Sequence, residues 1–120
     1  LDEILKLSAE FSNVMPCIDF AHLHARSNGK YNSSKEFTEV LEKVEKFLGK
    51  KGLENMHIHL AGIEYGEKGE KRHLNLKDSD MNYKDLMKAL KDFEVKGVVI
   101  CESPNIEKDA ILIKNTYSKL

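Results

Sequence analysis

Three short apolar runs constrain this chain more than any other feature: VMPCIDFA at 14–21, NMHIHLA at 55–61 and VVICE at 98–102. Each has the length of a strand, and far more chain separates them than a hairpin needs. Crossovers that long, each holding an amphipathic helix, join strands that run parallel. Pro16 confines the first strand's apparent start, because a proline cannot donate to a ladder.

The connecting stretches carry helical periodicity. Leu1, Ile4, Leu5 and Phe11 predict a helix over 1–12. Ser33 with Glu36 fits a capping box, followed by an apolar stripe of Phe37, Val40, Leu41, Val44, Phe47 and Leu48 that Gly49 ends. Asp80 is placed to cap a helix with stripe Tyr83, Leu86, Met87, Leu90 and Phe93. Ser103-Pro104-Asn105 opens the last helix, with Ile106, Ala110, Ile113 and Tyr117. The segments 22–32 and 62–73, polar and punctuated by glycine, read as loops.

The resulting order, α-β-α-β-α-β-α, is an α/β fold of parallel βαβ units in a single domain over 1–120. Right-handed crossovers put the helices on one side of a three-stranded sheet. Such a sheet is a stretch of (β/α) barrel wall or part of a doubly wound sheet. Its other face and both edges stay open, which predicts self-association or partner strands lying upstream. The chain opens inside a helical pattern without a cap and without an initiator methionine, so the expectation is a piece of a longer protein.

Composition narrows the partners. A formal net charge of −1 gives no global pull toward nucleic acid, so any such binding rests on local patches. No apolar run approaches the roughly 20 residues of a bilayer helix, and the first residues do not form a signal peptide. Cys17 and Cys101 sit inside apolar runs and read as small core residues in a reducing cytoplasm.

Each strand ends on a residue able to hold a metal. Asp19 shares a face with Cys17 and Ala21, His59 with His57, and Glu102 with Val98 and Ile100. C-terminal strand ends are where α/β sheets and barrels hold their sites. His22 follows Asp19 by three residues, and His73 closes the segment after His59. Two carboxylates and three imidazoles on one rim suit zinc, manganese or iron, not calcium. His57 lies a layer deeper than His59 and reads as a hydrogen-bonded core histidine, although spacing alone also allows the two to exchange roles.

CIDFAH (17–22), HIHLAG (57–62), KRHLNL (71–76) and ICES (100–103) resemble, in order and spacing, the last three strands of the endonuclease IV family. These are zinc-dependent apurinic/apyrimidinic endonucleases among the xylose isomerase-like TIM barrels. The resemblance implies the C-terminal part, about three strands, of a TIM (β/α)8 barrel. It also implies that Asp19, His59 and Glu102 match ligands of a catalytic zinc cluster, and that His22 and His73 match ligands of a further zinc. The implied activity is cleavage 5′ of abasic sites in DNA. The loops expected to grip the DNA hold Arg26, Lys30, Tyr31, Tyr65, Lys68, Lys71 and Arg72.

Two departures stand out. The family carries a ligand aspartate two residues before the loop histidine, where this chain has Lys71. That metal loses a carboxylate unless Glu67 or Glu70 supplies one. The family's other ligands, two histidines and a bridging glutamate, come from earlier strands that this chain lacks. The 120-residue chain alone is therefore expected to bind metal weakly and to show little or no nuclease activity. Lys71 and the near-neutral charge keep open an alternative, a sugar isomerase or epimerase of the same superfamily. A non-catalytic half-barrel, dimerising or folding against a missing half, is the third reading.

Overall fold

The computed structural model describes all 120 residues. Helix α1 (Asp2–Glu10) precedes β1 (Cys17–Asp19), α2 (Phe20–Arg26) and α3 (Ser34–Glu54). Then follow β2 (Met56–Leu60), β3 (Gly62–Gly66), β4 (Gly69–Leu74) and a 3-10 turn at Leu76–Asp78. Helix α4 (Tyr83–Asp92), β5 (Gly97–Cys101) and α5 (Glu107–Ser118) complete the chain. Strands β1, β2 and β5 form one parallel sheet in chain order. That order is the one found in a barrel wall; a doubly wound sheet reverses at a switch point.

The alternation of the strands sorts their side chains between two faces. Ile18, Met56, Ile58 and Leu60 are buried in one cluster with Phe37, Val40, Leu41 and Val44 of α3. Leu86, Met87 and Leu90 of α4 and Ile113 of α5 join the same cluster. Gly97 is obligatory at the start of β5: its φ is +127°, and a Cβ there would lie 2.0 Å from Met56 O. The opposite face is open. Val98 and Ile100 stand 49% and 44% exposed, and β1 and β5 each have a single neighbour.

Several expectations are corrected. The first strand is only three residues, because Asp19 turns the chain into α2 by accepting the His22 N–H at 2.9 Å. His22, His24 and Arg26 are therefore helical, not in a loop. The segment after β2 is an antiparallel β3–β4 hairpin. Its polarity hid an alternation whose apolar members, Ile63 and Tyr65, pack on Ala21 and Ala25 of α2. Gly49, by contrast, does end the helical run from Ser34 as expected, since its φ of 67° and ψ of −166° are non-helical and a second helical segment follows before Glu54. Asn82, not Asp80, caps α4, accepting from the Asp85 N–H at 3.2 Å. Ser33 and Glu36 do form the capping box at α3, with Glu36 Oε2 accepting from the Asn32 N–H at 3.0 Å.

Candidate metal centre

Parallel pairing aligns the strand ends. Asp19 is in register with His59, and His59 with Ile100, two residues before Glu102. One ligand atom from each of Asp19, His59 and Glu102 lies within 4.8 Å of the other two. His59 Nδ1 is 2.8 Å from Glu102 Oε1 and 3.9 Å from Asp19 Oδ2. All three side chains are half-buried at the rim of the open face. No lysine or arginine pairs with either carboxylate; the ion partners of Asp19 and Glu102 are histidines alone. Two carboxylates and an imidazole facing one another without a cationic side chain fit a divalent ion of the zinc, manganese or iron group.

A second set grows from the same aspartate. While Asp19 Oδ1 caps α2, Oδ2 lies 2.5 Å from His22 Nδ1, which fixes the imidazole and turns Nε2 outward. That Nε2 meets Glu70 Oε2. His22, Glu70 and His73 each offer a ligand atom within 4.8 Å of the others. Burial works against charge on His22, but the Asp19 and Glu70 carboxylates outweigh it and raise its pKa above the ordinary imidazole value.

The hairpin explains why Glu70 is there. Glu64 opposes Arg72 and Tyr65 opposes Glu70, so Lys71 has no partner and forms a bulge. In a regular strand Lys71 would share the His73 face. The extra residue inverts that parity, so Glu70 and His73 both approach His22 of α2. Glu70, and not Lys71, is thus the residue of this segment that lies beside His22 and His73.

Two residues read as core are not. On the open face His57 and Cys17 are exposed, with His57 Nε2 3.2 Å from His59 Nε2. They face away from the helices, where a complete barrel has its interior. The Cys17 thiol has its pKa pushed up by partial burial and by the Asp19 and Glu102 charges. Cys17 and Cys101 are both free, and β2 runs between their strands. Cys101, half-buried, packs against the core cluster.

The residues expected to grip DNA divide. Arg26, Lys30, Lys68 and Lys71 are exposed, on segments that leave the C-terminal ends of β1 and β2. Arg72 Nε is 2.6 Å from Glu64 Oε2, and Tyr31 packs on the core. Tyr65 donates to Asp80 Oδ2 at 2.6 Å, which with burial and the Asp80 charge pushes its pKa up to about 12. Asp80 Oδ1 meets His24 Nε2 at 2.9 Å, and His24 Nδ1 lies 2.8 Å from Lys30 O. His24 is fully buried, so this chain of contacts locks the hairpin to α2. No local sequence signal connects Asp80 with His24, because they are remote in the chain.

Comparison with known proteins gives three findings. The model of the xylose isomerase-like TIM barrel family matches residues 1–116. An uncharacterized protein of Methanocaldococcus jannaschii is 55% identical over 120 residues, a match covering all of this chain and 44% of the relative. The chain thus spans less than half the length of that relative. No solved structure matches it.

Proposed function

The chain belongs to the xylose isomerase-like TIM barrel family, and from that premise we propose that it is the metal-holding part of an endonuclease IV-like phosphodiesterase acting 5′ of abasic sites in DNA. The observation that carries this reading is the convergence of Asp19, His59 and Glu102 from three strands, beside a second set of His22, Glu70 and His73. Two adjoining sets linked by one carboxylate suit phosphoryl transfer, where both the attacking and the leaving oxygen need stabilisation.

Asp19, His59 and Glu102 would hold one ion, and His22, Glu70 and His73 another. Divalent ions bound there supply neutralisation of charge on the phosphoryl oxygens and a nucleophile at neutral pH. The side chains set the geometry. Asp19 orients His22 through Oδ2 and is itself oriented by the α2 backbone through Oδ1. Glu102 holds His59 through Nδ1. Arg26, Lys30, Lys68 and Lys71 flank the rim and attract the phosphate backbone.

The test compares two forms on a duplex bearing one synthetic abasic site. A chain extended to the relative's length should incise it on the 5′ side, with a chelator abolishing the cut. The 120-residue chain, lacking the family's earlier ligands, should leave it intact. Turnover of ketoses without incision by the longer form would replace this reading with a sugar isomerase.

A further inference from the structure

Two ligating side chains, Cys17 and His57, have no role in the reading above. Cys17 lies directly opposite His57 across the β1–β2 ladder, and both face away from the helices. His59 is the next residue on that side of β2. A ligand atom of each lies within 4.8 Å of the other two. Thiol and imidazoles are therefore gathered by strand register alone, with no loop to hold in place.

We propose that Cys17, His57 and His59 form a second, thiophilic metal site, sharing His59 with the rim, that takes zinc(II) or a similarly soft ion. One thiolate and two imidazoles match zinc and softer ions and reject magnesium and calcium, whereas the two carboxylates beside His59 make a harder set. Binding replaces the Cys17 S–H bond by a metal–thiolate bond and releases that proton to solvent. Three protein ligands leave a fourth position open, as in sites that exchange a ligand. The outer shell is present as well: Glu102 Oε1, 2.8 Å from His59 Nδ1, accepts the N–H of an imidazole that ligates through Nε2.

His59 makes the two sets compete. Its Nδ1 faces Glu102 and its Nε2 faces His57, and a neutral imidazole ligates through one nitrogen while the other keeps the proton. A soft ion on Cys17 therefore withdraws His59 from the rim. An ion held through Nδ1 leaves the Nε2–H to donate to His57. The thiophilic site is an antagonist of the rim site.

Cobalt(II) titration of the reduced 120-residue chain tests this, because a cobalt–thiolate bond gives a charge-transfer band in the near ultraviolet. The expected band saturates at one ion per chain, disappears in Cys17→Ser and persists in Cys101→Ser and Glu102→Gln. His57→Gln should weaken it on the order of tenfold or more. Circular dichroism checks that each variant keeps its fold, and Cys17 is exposed enough to replace. Manganese, which avoids thiolate, should bind wild type and Cys17→Ser alike, so failure of the rim reading is separable. Absence of the band in wild type, or its survival in Cys17→Ser, overturns the proposal.

Discussion

The two faces of the parallel sheet are made by alternate residues of the same strands, yet they have opposite character. Toward the helices, Ile18, Met56, Ile58 and Leu60 are buried in one cluster with residues of α3, α4 and α5. Away from them stand Cys17, His57, Val98 and Ile100, all exposed. The packed face fixes the register, since a slip of one residue would carry two histidines into the core and Ile58 into water. With register settled by one side, the other is free to carry chemistry.

Matched truncations give the sharpest contrast. Ile58→Ala, at a position 1% exposed, should cost about 2–5 kcal/mol by urea unfolding. Ile100→Ala on the open face should stay within about 0.5 kcal/mol. Equal costs would mean that the open face is covered in solution, by self-association for example.

Polar groups on the packed side form the next contrast. Asp109, 3% exposed, accepts from the Leu76 N–H at 2.7 Å and Asn105 Nδ2 at 2.9 Å. Asp109→Ala should cost about 1–3 kcal/mol by leaving those donors unpaired. Burial alone would raise its pKa, but donation from Ser103, Asn105 and the Leu76 N–H outweighs that and lowers it. Its contribution is therefore present above pH 3.8 and lost as pH falls through the lower folded value. Asp109→Asn should flatten that acid limb.

On the open face the same chemistry should leave stability alone and move binding. Glu70→Gln should weaken the second ion at His22 and His73 about tenfold in calorimetric titration, with little change in unfolding. Glu67→Gln should do neither. An equal loss in Glu67→Gln would break the bulge argument.

The smallest effect is local. Tyr65, with a pKa of about 12 against 10.0 for a free phenol, gains stability from Asp80 below pH 10.0 that is lost as pH rises toward 12. Asp80→Asn should return the phenol titration, followed by absorbance, toward 10.0.

Much of this was legible in the residues. The three strands, the helical stripes and the capping box at Ser33 follow from periodicity and local hydrogen bonding. The grouping of Asp19, His59 and Glu102 followed from strand parity and parallel pairing, both short-range rules. The hairpin was misread because its polar residues face solvent while only Ile63 and Tyr65 reach α2. Cys17 and His57 were misread as core because apolar neighbours mark a strand without saying which of its faces is covered.

What the sequence by itself determined is the order of elements and which residues share a strand face, because dihedral preference and side-chain alternation are properties of neighbours along the chain. Only the tertiary structure decided which face is packed, that a bulge at Lys71 sets Glu70 beside His73, and that Asp80 reaches His24. Those outcomes depend on contacts between remote segments, where burial and pairing, and not local propensity, set the free energy.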